Sequence, residues 1–83
     1  MNDINSKVYE DTLCEILKKY NISIETPNYT IGSLNEYIYI LSQEIVENGF
    51  VEDTKNDYGK DIEEALSYFI HQKIKIKKCM ELL

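Results

Sequence analysis

The sequence predicts an all-α fold, a small antiparallel three-helix bundle. Apolar residues recur at helical spacing in three separate segments, the middle segment carries capping residues at both ends, and no two alternating segments offer themselves as paired strands. The helices are expected over residues 5–20, 34–48 and 60–81, within one domain spanning residues 1–83.

In the first segment Tyr9, Leu13, Ile16, Leu17 and Tyr20 fall at i, i+4, i+7, i+8 and i+11, one apolar stripe along a helix. Asp3, Asn5 and Ser6 are candidate N-caps. Lys18 and Lys19 suit the negative pole of the helix dipole, and Asn21 tolerates the backbone of a helix stop. Ile22 and Ile24 then alternate with polar residues, and Glu25, Thr26, Pro27 and Asn28 bring turn chemistry. With no partner strand in view, this stretch reads as a loop.

The second helix has the clearest punctuation. Ser33 and Glu36 match the S-x-x-E capping box, and Leu34, Ile38, Leu41 and Ile45 follow at helical spacing. Asn48 and Gly49 are placed for a left-handed cap, with Phe50 folding back onto Ile45. The interior run Tyr37, Ile38, Tyr39, Ile40, Leu41 is apolar all round, which predicts a helix held between two others more readily than one left partly bare.

The third segment puts Ile62, Phe69, Ile76 and Leu83 at spacings of seven, with Ala65, Leu66, Cys79 and Met80 alongside. Residues 73–77 alternate Lys and Ile like a strand, but the helix formers Glu63, Glu64, Ala65 and Leu66 upstream favour a helix. The two connectors, about twelve residues each, exceed the usual bundle loop and are expected to hold function or extra turns.

Fifteen acidic and nine basic residues give a net charge of −6, which opposes direct binding to nucleic acid or to an anionic bilayer. The charge is uneven: residues 25–66 carry ten acids against Lys55 and Lys60, whereas Lys73, Lys75, Lys77 and Lys78 make the C-terminal end basic. No signal peptide or membrane span is visible at the start, so a cytoplasmic location is expected, with Cys14 and Cys79 reduced rather than bonded to each other. The wealth of Ile, Lys, Asn, Tyr and Glu is the composition of a low-GC bacterium or its phage.

Chemistry-bearing motifs are sparse. Reading Asp53 as the first position of a twelve-residue calcium loop brings Asp57, Asp61 and Glu64 to ligand positions, but Lys55, Tyr58 and Lys60 occupy the third, sixth and eighth, where a ligand, a glycine and an apolar residue belong. No metal site and no cofactor are therefore expected. His71 is the only histidine, and none of the three glycines builds a phosphate loop, so the chain is not read as an enzyme.

Seven tyrosines and no tryptophan are more suggestive, since tyrosine is favoured in contact surfaces. Tyr9, Tyr20, Tyr37 and Tyr68 are expected at core edges. The predicted partner-binding set is Tyr39, Glu44, Glu47, Glu52, Asp53, Asp57, Tyr58 and Asp61. The function expected from it is noncatalytic: a regulator or inhibitor, of the kind a phage or mobile element carries, that binds a basic partner and competes with nucleic acid for it. Two other expectations are a self-associating helical module, such as a homodimer using residues 37–41 and the end of helix three, and a small helix-turn-helix regulator.

Overall fold

The computed structural model describes residues 3–81, as three helices and one small hairpin. Helix α1 spans Asp3–Lys19, α2 spans Ile31–Asn48 and α3 spans Asp57–Glu81, while strands β1 (Phe50–Val51) and β2 (Thr54–Lys55) lie between α2 and α3. The fold is thus a helical bundle with an antiparallel two-stranded sheet inserted, and the all-α expectation needs that correction. Residues 72–78 are helix despite their alternation.

Helix α1 ends in a Schellman motif. The Ile22 N–H donates to the Leu17 carbonyl at 3.0 Å and the Asn21 N–H to that of Lys18 at 3.0 Å. Asn21 supplies the left-handed residue, at φ 63°. Asn5 and Ser6 lie inside the helix rather than at its cap.

Helix α2 departs from expectation at both ends. Its N-cap is Thr30, whose hydroxyl accepts from the Ser33 N–H at 3.2 Å, so the helix starts a turn before the predicted Ser33 box. At the far end Gly49 has φ −93° and is not left-handed. Its backbone instead presses on Gly59: a Cβ on Gly59 would sit 2.2 Å from the Gly49 carbonyl oxygen. Phe50 is exposed and begins the hairpin instead of folding onto Ile45. Glu52 and Asp53, at φ 52° and 66°, form the two-residue turn between Val51 and Thr54. Asn56 then caps α3, its side-chain oxygen accepting from the Gly59 N–H at 2.7 Å.

The core takes Leu13, Ile16 and Leu17 from α1, Leu34, Tyr37, Ile40 and Leu41 from α2, and Ile62, Ala65 and Phe69 from α3. Each fully buried aliphatic or aromatic side chain is worth about 1.5–3 kcal/mol. Above this layer, Tyr9 and Tyr29 meet Tyr68, and Tyr29 and Tyr37 meet Phe69, with ring centroids 5.1–6.5 Å apart. Ile76 is partly buried, Cys79 and Met80 are exposed, and Leu83 lies outside the described residues.

Helix α3 runs antiparallel to both others: Lys19 at the end of α1 reaches Tyr58, Tyr9 near its start meets Tyr68, and Gly49 touches Gly59. Helices α1 and α2, however, are parallel. Lys19 and Tyr20 bond Glu44 near the end of α2, and Tyr29, just before α2, bonds Glu10 in the first half of α1. The connector from Tyr20 to Thr30 is long because it carries the chain back along the bundle. It is pinned where Ile22 and Ile24 pack on the core and the Asn28 N–H donates to the Tyr37 hydroxyl at 2.9 Å.

Candidate functional site

The acidic middle of the sequence divides into two environments. Glu47, Glu52, Asp53, Asp57 and Asp61 are exposed around the hairpin end of the molecule, on the last turn of α2, the hairpin turn and the first turns of α3. Glu44 is not among them: it is 2% exposed, inside the bundle. Its place follows from periodicity, since it lies seven residues after Tyr37 and three after Leu41, on the buried stripe of α2.

The Glu44 carboxylate gathers three donors. Lys19 Nζ reaches Oε2 at 2.6 Å, the Tyr58 hydroxyl donates to Oε2 at 2.5 Å, and the Tyr20 hydroxyl donates to Oε1 at 3.0 Å. Lys19 also donates to the Tyr58 oxygen at 2.6 Å. Burial by itself would raise the Glu44 pKa, but these hydrogen bonds and the ammonium charge outweigh it and hold the group at about 2. The bond to Glu44 likewise raises Lys19 above the ordinary lysine range, and raises Tyr20. Burial, and then the carboxylate, push Tyr58 up. The group joins α1, α2 and α3, and Glu44, buried within it, is withdrawn from any contact surface, whereas Tyr58 is half-buried.

Tyr29 donates to Glu10, lies 3.1 Å from the Tyr68 hydroxyl and stacks on Phe69. Burial, followed by those hydrogen bonds, raises its pKa. Tyr39 does face solvent, 64% exposed on the outer side of α2. Val46, 72% exposed, is seven residues along on the same side, a residue that charge and tyrosine content did not single out. Phe50 and Val51 of the hairpin are exposed as well, and Glu47, Glu52 and Asp53 are exposed neighbours in the sequence.

The stretch weighed as a calcium loop is filled by β2 and the first turns of α3, where Asp57, Asp61 and Glu64 are helical residues. Among the described residues no three His, Cys, Asp or Glu side chains cluster closely enough to hold a metal ion. Cys14 and Cys79 are free thiols, and burial, aided by Asp11 and Glu10, raises the pKa of Cys14. Among the described residues no helix is long and apolar enough to cross a membrane. No family model, no curated protein and no solved structure matches the chain.

Proposed function

We propose that the protein is a noncatalytic binding module that docks the outer side of α2 and the hairpin onto a basic protein and so regulates or inhibits it. The observation that supports this reading is the exposure of the large apolar side chains Tyr39, Val46, Phe50 and Val51 on α2 and the hairpin, together with that of Glu47, Glu52 and Asp53. Apolar side chains bared on a rigid support supply the contact that slows release, and exposed carboxylates steer a cationic partner into encounter. The matching partner surface is a cationic groove with an apolar floor, of the kind that also receives nucleic acid, so docking would exclude that ligand.

The test uses the full chain as bait in cell extract from its native host, followed by kinetics with the basic protein retained. Combining Glu47→Lys with Glu52→Asn and Asp53→Asn removes the negative charge while keeping a turn residue that accepts positive φ. The association rate is expected to fall about tenfold and to lose most of its salt dependence. Tyr39→Ala or Val46→Ala is expected mainly to raise the dissociation rate. Unchanged association with the charge variant, at every salt concentration, rules out the proposed docking mode.

A further inference from the structure

The outer face of α3 has a pattern that the acidic hairpin end does not explain. Phe69, Ala65 and Ile62 turn inward, so the opposite side presents Lys60, Glu63, Glu64, Ser67, Ile70, His71, Ile74, Lys75, Lys78 and Glu81. All but the middle of this surface is charged, acid-rich in its first half and lysine-rich in its second. At the middle, Ile70 and Ile74 stand 37% and 43% exposed, one turn apart.

We propose that this face pairs with the same face of a second copy, in a twofold dimer with the two α3 helices antiparallel. Antiparallel pairing is what the charge order selects. With the axis crossing between Ile70 and His71, Lys60 faces Glu81 of the second copy, and Glu63, which pairs within its own chain with Lys55 at 2.5 Å, faces Lys78. Every one of these pairs is repeated by symmetry. A parallel pair would instead set acid against acid and lysine against lysine along the whole helix. Around the axis the two Ile70 side chains lie beside His71 of the opposite copy, with Ile74 one turn outward, and burial of this apolar surface supplies the attraction while the flanking pairs fix the direction. The small apolar patch makes this a modest association, with a Kd on the order of 10–100 µM. The docking surface on the outer side of α2 does not contribute to this face, so either proposal can fail alone.

Sedimentation equilibrium of the full chain tests it, with far-UV circular dichroism to confirm that each variant is folded. The wild-type chain is expected to dimerise and to dissociate as salt is raised. Ile70→Glu with Ile74→Glu is expected to weaken the dimer at least tenfold. Two charge variants give the sharper result: Lys60→Glu with Lys78→Glu, and Glu63→Lys with Glu81→Lys, should each be monomeric alone and form a one-to-one heterodimer when mixed. A wild-type chain that stays monomeric at about 1 mM, or a mixture that does not associate, overturns the proposal. So does growth into open chains of copies, which is the behaviour of a basic end docking on a neighbour's hairpin.

Discussion

Glu44→Lys is expected to leave the protein largely unfolded at neutral pH. The substitution sets a second ammonium against Lys19 and strands the hydroxyls of Tyr20, just past α1, and Tyr58, on α3, which donate to Glu44. Lys19 is half exposed, so solvent screens its charge, but an unpaired ammonium at the buried Glu44 position together with the stranded hydroxyls still costs about 3–5 kcal/mol. A chain of this size has a total stability of roughly 4–12 kcal/mol, so one residue accounts for a large share. Loss of the helical far-UV signal, or a urea midpoint near zero, is the readout.

The milder Glu44→Gln isolates the charge. The native carboxyl is held at about 2, against an ordinary value of 4.5. A group depressed on folding stabilises fully above its unfolded pKa, and that contribution drains away as pH falls toward the folded value. Glu44 should therefore contribute about 3 kcal/mol at neutral pH, lost between about pH 5 and pH 2. The gap in unfolding free energy between wild type and Glu44→Gln is expected to close over that window. A gap that stays constant with pH would assign the role of Glu44 to packing alone.

Gly59→Ala is the second large effect. The added methyl carbon would lie 2.2 Å from the Gly49 carbonyl oxygen and 2.9 Å from both the Gly49 carbonyl carbon and Lys55 Cγ. Neither backbone is free to retreat, because the Gly49 oxygen accepts from the Asn56 N–H at 2.9 Å and the Gly59 N–H donates to Asn56 Oδ1 at 2.7 Å. A loss of about 3 kcal/mol is expected in chemical denaturation. Gly32 provides the contrast. It lies in α2 with nothing within 4 Å of an added Cβ, so Gly32→Ala should stabilise by about 0.5–1 kcal/mol. If both substitutions have the same sign, the close approach of the two glycines is not what constrains Gly59.

The three helices could be read from the sequence because their signals are local: periodic stripes, lysines at the end of α1, and Asn21 at its stop. What escaped depends on distant contacts. Thr30 and Ser33 are equally good caps by residue type, and the choice is made by the turn in which the Leu34 N–H bonds the Thr30 carbonyl at 2.8 Å. The hairpin turn Glu52–Asp53 lacks the Asn-Gly signature its backbone calls for, so nothing in the sequence announces the strands on either side. Glu44 was hidden differently. Counting charge over residues 25–66 merged it with the surface acids, although its spacing from Tyr37 and Leu41 already placed it on the inward stripe. Direction was also beyond reach: connector length does not distinguish a loose loop from one that returns along the bundle and makes α1 and α2 parallel.

That returning connector also bears on the order in which the molecule assembles. Helices α2 and α3 are joined through a short hairpin and meet after a brief loop closure, whereas α1 must wait for the 20–30 segment to lie back along the bundle before Lys19 finds Glu44, 25 residues away. The α2–hairpin–α3 unit is thus expected to form the folding nucleus, with α1 arriving after the rate-limiting step. In stopped-flow chevrons, Gly59→Ala should then act chiefly by slowing folding, and Glu44→Gln chiefly by speeding unfolding.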